Sequence, residues 1–469
     1  MNWRKPYKFT EQDFLDLKKD CTSPLQLNNG SRVGVIGGGP AGSFFSYFLL
    51  ELAERIDLTI QVDIFEAKDF SKTGPQGCNK CGGIISETLV QHLAAEGINL
   101  PHSIVQRGID SYVMHTDVGS ARIETPLHEK RIGAVHRGCG PRGSPSGKWD
   151  SFDGFLLRNA EEKGAHIIKT QVKSLYLVDG LPQLEFDLPP HDSKKIYDLV
   201  VIATGINTSS LHHFKKVISG YHPPKSSKTF IKEYPLGSEV IEQYLGSSMH
   251  VFLLKLPQLE FAAIIPKGDF VTVCILGENI DQNLVQNFMQ SPEVKKCFPA
   301  DFHLDGGSCQ CWPSINTRGS RRPFQDRVVF IGDSSHSRLY KDGIGAAFIT
   351  AKAAANTALL QGVAAKDFQR SYWPVCKRID ADNRFGKLLF FITKLFQNIR
   401  FTRKAIIRIL MIEQRKQKDR KIMSTVLWDL FTGSSSYRDI FLNTLRLSFI
   451  GRFAWNSTIS ILKFSNNRN

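Results

Sequence analysis

Two groups of residues have types and spacings that can do chemistry. The first is the pair Cys78 and Cys81 in TGPQGCNKCGGIIS, residues 73–86. A C-x-x-C pair in a glycine-rich loop can supply half of a zinc site, form a redox disulfide, or line a bound cofactor. The second is GGGPAG, where Gly37, Gly39 and Gly42 fill a G-x-G-x-x-G template around Pro40 and Ala41. Such a loop cradles a pyrophosphate when a strand enters it and a helix leaves it.

The flanking residues supply both elements. RVGVI (32–36) is a short apolar run that reads as a buried strand, and SFFSYFLLELAERI after Gly42 reads as a helix. A second strand, IQVDIFEA, ends at Glu66. In such a unit Gly37 permits the tight turn, Gly39 lets backbone approach the pyrophosphate, and Gly42 allows close helix–strand packing. Glu66 is placed to accept hydrogen bonds from the adenosine ribose.

Flavin and nicotinamide are distinguished further along. YDLVVIATG (197–205) reads as a buried strand ending at Gly205, and DRVVFIGDSSHS (326–337) as another ending at Asp333. The second leads through Gly343 and Gly345 into the small-residue helix GIGAAFITAKAAANTALLQG. An aspartate there can accept from ribityl hydroxyls, and the helix start can offer backbone N–H groups.

Over roughly residues 30–365 the sequence resembles the FAD flavoproteins of the hydroxylase and geranylgeranyl reductase superfamily, of the para-hydroxybenzoate hydroxylase type. The resemblance implies FAD held by Gly37, Gly39, Gly42, Glu66 and Asp333, with Arg137 of AVHRGCG near the cofactor. It also implies a helix after that arginine, with Phe152 and Asp153 at its start. Tyr340 departs from the pattern, since many relatives have proline there.

For zinc, the other close cysteine pair is Cys309-x-Cys311, more than 220 residues away and at a poor chelating spacing, so no metal is expected. KCGGIIS also resembles the CGG loop of geranylgeranyl reductases. By that resemblance Cys81 faces the flavin and substrate, Gly82 and Gly83 permit close backbone approach, and Cys78 is additional. A functional Cys78–Cys81 disulfide stays open as an alternative.

Residues 226–277 alternate apolar and polar residues like antiparallel strands, and 104–125 do so more weakly. FAAIIPKGDFVTVCILG resembles a strand and turn of the same reductases, which assigns Phe261, Ile265 and Pro266 to a substrate pocket. Ala263 and Ile265 stand where that pattern has bulky rings. His136 is expected to alternate away from Arg137, and His336 to be structural or to sit near the flavin. GCGPRGSPSGKWD (138–150) reads as a solvated cationic loop or an anion-binding lid.

The chain carries 60 Lys and Arg against 45 Asp and Glu, a net charge of +15. Residues 384–469 hold 17 of those cations and 4 of the acids, so nearly all the excess belongs to a C-terminal appendage. Its apolar residues and cations recur at helical spacing over 384–424 and 437–463. It reads as an anionic-membrane surface or as a helical cap with a wet basic face. No recognisable module points to nucleic acid. The N-terminus lacks the apolar core of a secretory signal, no run of about 18 apolar residues is seen, and nine scattered cysteines suit a reducing compartment. A cytoplasmic protein, peripheral on the inner membrane face, is expected.

The expected fold is α/β. An N-terminal extension (1–30) precedes a discontinuous Rossmann-type FAD-binding domain (31–100, 130–210, 320–365). Inserted in it is a mixed or antiparallel β-sheet substrate domain (101–129, 211–319), and a basic helical region follows (366–469). The expected activity is reduction of C=C bonds in an isoprenoid or similar lipid. Alternatives are a flavin monooxygenase or halogenase, or a membrane-associated electron carrier. With no second Rossmann unit visible, NAD(P)H, ferredoxin or another redox protein is the expected electron donor.

Overall fold

The computed structural model describes residues 23–465, apart from 126–128, 146, 189–190, 209–210, 212–213, 215–217, 304–305 and 416–420. The charged N-terminus read above, 1–22, lies outside the described residues.

Strand β1 (Arg32–Ile36) enters the glycine loop, α1 (Pro40–Arg55) leaves it, and β2 (Gln61–Phe65) returns parallel to β1. Strands β8 (His166–Ile168), β12 (Leu199–Ile202), β20 (Phe324–Gln325) and β21 (Val328–Phe330) complete a six-stranded sheet. Its order is β20-β21-β12-β1-β2-β8, parallel except at β20. Continuous apolar runs such as LVVI and VVF suit it, because both faces of a parallel sheet are covered. On one face α1 packs against α7 (Gly343–Leu360), with Phe348 edge-on to Phe44 at 5.3 Å and Phe48 at 5.1 Å. Helix α7 is long and apolar enough to cross a bilayer, but 72% of it is buried inside the protein. Its alanines let it press against α1.

A second layer lies over the glycine loop. Seven strands run in the order β18 (Cys309–Cys311), β14 (Phe230–Pro235), β17 (Phe270–Gly277), β16 (Leu259–Lys267), β15 (Ser248–Phe252), β5 (Ser111–Thr116) and β6 (Gly119–Glu124). Neighbours are antiparallel except β15 and β5, so the expected mixed sheet is present. Helices α4 (Ser238–Tyr244), α5 (Gln282–Gln290) and α6 (Pro292–Lys295) follow β14 and β17, and Ile241, Phe288 and Val294 join the core built on this sheet.

Three small sheets connect the layers. Strand β7 (Ile132–Val135) pairs with β3 (Ile84–Ile85) and β4 (Val105–Ile109), beside α2 (Glu87–Ala95). Strands β9 (Val172–Val178), β10 (Leu181–Leu188) and β11 (His191–Ile196) form a meander, and β13 (Lys225–Lys228) pairs with β19 (Ser314–Arg318). Helix α3 (Phe152–Glu162) starts where Ser151 Oγ accepts the Gly154 N–H at 3.0 Å.

The C-terminal region is no loose appendage but packs on the core, as the helical-cap reading expected. Helices α8 (Trp373–Asn398), α9 (Arg400–Arg415), α10 (Ile422–Thr432), α11 (Tyr437–Thr444) and α12 (Leu447–Ser465) are built into the body. Ile407, Leu410 and Trp428 share a core with Tyr112, Met114 and Ile123 of the second layer. Arg403 is buried and its Nε meets Asp117 Oδ1 at 2.6 Å. Most of the cations keep to the outer sides of these helices and apolar residues fill the inner ones, with Arg403 the buried exception.

Candidate functional site

A cavity of about 980 Å³ runs from the glycine loop, under the second layer, to the C-terminal helices. Gly37, Gly39, Pro40 and Ala41 line one end, with Glu66, Arg137, Gly205, Asp333 and Gly343 around it. Cys81, Gly82, Gly83, Phe261 and Ile265 line the middle. The structure therefore gathers fourteen of the seventeen residues singled out in sequence.

The other three sit elsewhere for identifiable reasons. Gly42 works in packing: a Cβ there would lie 1.9 Å from the Gly37 carbonyl oxygen. A Cβ on Gly345 would meet the Asp342 carboxylate at 2.4 Å. Pro266 is corrected as a pocket residue. Alternation along β16 turns Phe261, Ala263 and Ile265 to the cavity and Pro266 to the other side.

The glycine-loop end fits a dinucleotide. Gly37 has φ +105, and a side chain there would strike the Ala203 carbonyl at 2.7 Å. Glu66 accepts the N–H groups of Gly38 and Lys68, each at 2.8 Å, which fixes its carboxylate at the end of β2. Burial pushes its pKa up despite those two donors. Desolvation shifts Asp333 the same way, with Ser337 and Arg137 opposing. Thr204 Oγ1 and Asn316 Oδ1, both from cavity-lining residues, are buried without a hydrogen-bond partner. Orphaned polar atoms just beyond β12 and in the middle of β19 are what a ligand with hydroxyls and ring nitrogens would satisfy.

Arg137 is held by Asp153, the first-turn acid of α3, through a bidentate pair in which Nη2–Oδ2 is 2.8 Å. Asp153 also accepts from Asn79 of the cysteine loop, so one carboxylate fixes both the arginine and the loop. Burial works against the arginine's charge, but Asp153 and the Cys81 thiol beside it outweigh that and raise its pKa. His136 points the other way, edge-on to Phe270, as the strand alternation required.

Cys78 and Cys81 are both free thiols. Cys81 Sγ accepts the Gly83 N–H at 3.4 Å and faces Arg137. Cys78 lies outside the cavity lining, and burial pushes its thiol up. The second layer brings other thiols under the loop: Cys274 and Cys311 flank Ile231 on strands β17 and β18. A Cβ on Gly82 would lie 3.0 Å from Cys274 Sγ, so a side chain there would press on that thiol.

The loop after Asp333 differs from what a proline would allow. Tyr340 has φ +59, outside the range of a proline ring, and packs edge-on to Phe390 at 5.0 Å. Lys341, a residue the sequence gave no reason to select, lines the cavity and donates to the carbonyls of Asp429 and Leu430, each at 3.2 Å. Burial first, then Arg338, pushes its pKa down to about 7. His336 lies outside the cavity lining, with its Nε2 3.2 Å from Asp380 Oδ2, and is structural.

One side-chain cluster away from the cavity was invisible in sequence. Parallel pairing of β5 and β15 brings His115 Nε2 to 2.9 Å from His250 Nδ1, with Cys297 Sγ 3.3 Å from the same nitrogen. His115 Nδ1 contacts Ser120 Oγ at 2.8 Å, and His250 bonds the backbone of Leu245. Two histidines and a cysteine could hold a metal, but here each ring nitrogen already serves a hydrogen bond within the protein. Burial pushes His115 down to about 4 and His250 to about 3. Unfolded, both titrate near 6.5, so below that pH the unfolded chain takes up protons that the folded chain refuses. Stability is therefore fully present above pH 6.5 and falls towards pH 4, by about 2 kcal/mol at pH 5 from His115 alone. Urea denaturation at pH 7.5 and pH 5 checks this; the fall should be smaller in His250→Gln, and an unchanged slope would refute it.

Many solved structures share this architecture, and three of them are representative. A geranylgeranyl bacteriochlorophyll reductase-like protein from Thermoplasma acidophilum superposes with TM-score 0.63 at 13% identity, over 89% of this chain and 99% of that one. The p-nitrophenol 4-monooxygenase of Pseudomonas putida gives 0.58 at 13% identity, over 90% and 100%. A flavin-dependent brominase gives 0.57 at 14% identity, over 81% and 93%. The chain has the fold of these three proteins. No protein-family model matches the sequence, and no curated protein matches it. Within this FAD fold the three neighbours carry a reductase-like, a monooxygenase and a brominase name, so architecture leaves the reaction open.

Proposed function

We propose that this protein is an FAD-dependent oxidoreductase that reduces C=C bonds in an isoprenoid or a similar lipid. The observation that carries the reading is the apolar far end of the cavity. Phe390, Phe396, Leu427, Phe431, Phe449 and Phe453 wall it, so a long hydrocarbon would be enclosed beyond Cys81.

Gly37, Gly39, Glu66, Asp333 and the N-terminus of α7 would hold FAD, with Thr204 and Asn316 supplying further polar contacts. When bound and reduced, that group supplies a hydride. The protein's part is positional and electrostatic. Arg137, fixed by Asp153, keeps a positive charge against the Cys81 loop. Gly82 and Gly83 let that loop approach closely, and the aromatic wall excludes water. The proton that completes saturation has two sources in the lining: Cys81 Sγ and Lys341 Nζ, whose pKa near 7 lets it give and regain a proton at neutral pH. Electrons would reach the site from NAD(P)H, ferredoxin or another redox protein.

The test is anaerobic. Purified protein is loaded with FAD, reduced stoichiometrically and mixed with geranylgeranyl lipids and diphosphates. Flavin reoxidation without oxygen, with a product heavier by two hydrogens, is expected. Flavin that stays reduced until air enters would replace this reading with oxygen chemistry. In the same assay Cys81→Ser should slow reoxidation at least tenfold while leaving flavin content unchanged; a wild-type rate would remove Cys81 from the chemistry.

A further inference from the structure

We infer that α8, α11 and α12 form a docking face for an anionic lipid bilayer, and that the cavity opens onto that face. Among the described residues, 17 large hydrophobic side chains are exposed, and 13 of them lie between Leu388 and Ile461. Such concentration is not the scatter expected of an ordinary surface. On α8 the exposed residues Leu388, Phe391 and Leu395 recur at spacings of three and four, a single helical stripe, and Ile399 just past its end is exposed as well. The other side of the same helix gives Leu389, Phe390, Ile392 and Phe396 to the cavity. The stripe therefore remains outside although the helix already has an apolar side to bury.

The stripe has neighbours of the same kind. Phe385 meets Phe441 at 5.7 Å and Phe396 meets Phe453 at 5.0 Å, which sets α11 and α12 beside α8. On those two helices and the turn between them Leu447 is 87% exposed and Trp455 69%, with Leu442, Leu445 and Ile450 half exposed.

Charge selects the occupant. On α8 from Arg384 onward, on α11 and α12 and on the turn between them, five cations (Arg384, Lys387, Arg438, Arg446 and Arg452) are exposed against one exposed carboxylate, Asp439, among the residues described. A second copy of the chain would set these cations against their own images. An anionic headgroup layer attracts them while acyl chains take the interleaved leucines and aromatic rings, with tryptophan at the boundary. Ile450 belongs to both features, half exposed at the surface and lining the cavity. The cavity thus reaches the proposed lipid face, and a membrane-dissolved substrate enters without crossing water; this last step rests on the lipid-reductase reading above.

The experiment is cosedimentation of the full FAD-loaded chain with vesicles, scored without substrate or turnover. Vesicles of phosphatidylcholine with one quarter phosphatidylglycerol should bind at least tenfold more tightly than pure phosphatidylcholine. Leu447→Glu/Trp455→Glu and Arg384→Glu/Arg446→Glu should each weaken binding at least tenfold while retaining flavin and thermal midpoint. Wild type left in the supernatant, or variants that bind as it does, would overturn the inference. So would a dimer, formed without vesicles, that Leu447→Glu/Trp455→Glu dissolves, since a second copy would then cover the face. Because binding is read apart from chemistry, docking and the lipid-reductase reading can fail independently.

Discussion

Asp153→Ala is expected to cost about 3–5 kcal/mol of stability, because it leaves the Arg137 guanidinium as a buried charge without its partner. Asp153 is fully buried and Arg137 is nine-tenths buried, so water cannot take the carboxylate's place. The same substitution frees Asn79, which anchors the cysteine loop to α3. Urea denaturation should show the loss, and flavin should be retained far more weakly by whatever protein folds. Asp153→Asn keeps the volume and one acceptor, so it should fall between the two. A loss below about 1 kcal/mol in Asp153→Ala would show that water or a neighbour compensates the arginine, and that the pair is not what holds the site together.

Gly42→Ala is expected to be nearly as damaging as any larger substitution there. The first atom added, Cβ, would already lie 1.9 Å from the Gly37 oxygen, so no rotamer relieves the clash. The backbone of α1 must move away from β1, opening the core formed by Val35 and Phe45. A cost above about 4 kcal/mol, or failure to yield folded protein, is expected. Gly39→Ala is the control. Its Cβ would meet only Asn79 Nδ2, at 3.5 Å, so the fold should survive while FAD affinity falls, since Gly39 lines the cavity. Equal thermal midpoints for wild type and Gly42→Ala would contradict the packing argument.

The residues that form the dinucleotide end were legible because their signals are local. A glycine turn, a strand before it, a helix after it and an acid at the next strand end lie within 35 residues, from Arg32 to Glu66. Each demands its residue type for a reason that does not depend on distant contacts. Strand ends at Gly205 and Asp333 were readable for the same reason, since buried parallel strands are continuous apolar runs. Arg137 and Cys81 were reached through a likeness of motif, and tertiary structure then placed both beside the cavity.

What sequence could not show depends on which distant segments meet. The Arg137–Asp153–Asn79 connection joins two loops to the first turn of α3, and the His115–His250–Cys297 cluster needs two parallel strands that are neighbours in the sheet but bring together residues 135 positions apart in the chain. Pro266 was misplaced by one residue of alternation, which in a strand reverses the face. The C-terminal helices were read as charged and as a cap, whereas their packing decided what they line: one side of α8 closes the cavity and the other stays exposed. Sequence by itself determined the nucleotide loop, the strands that carry it and the basic excess at the C-terminus, because these follow from local backbone geometry and composition. Only the tertiary structure decided that those basic helices are also the apolar wall of the cavity, because burial is a property of two surfaces meeting and neither surface alone records its partner.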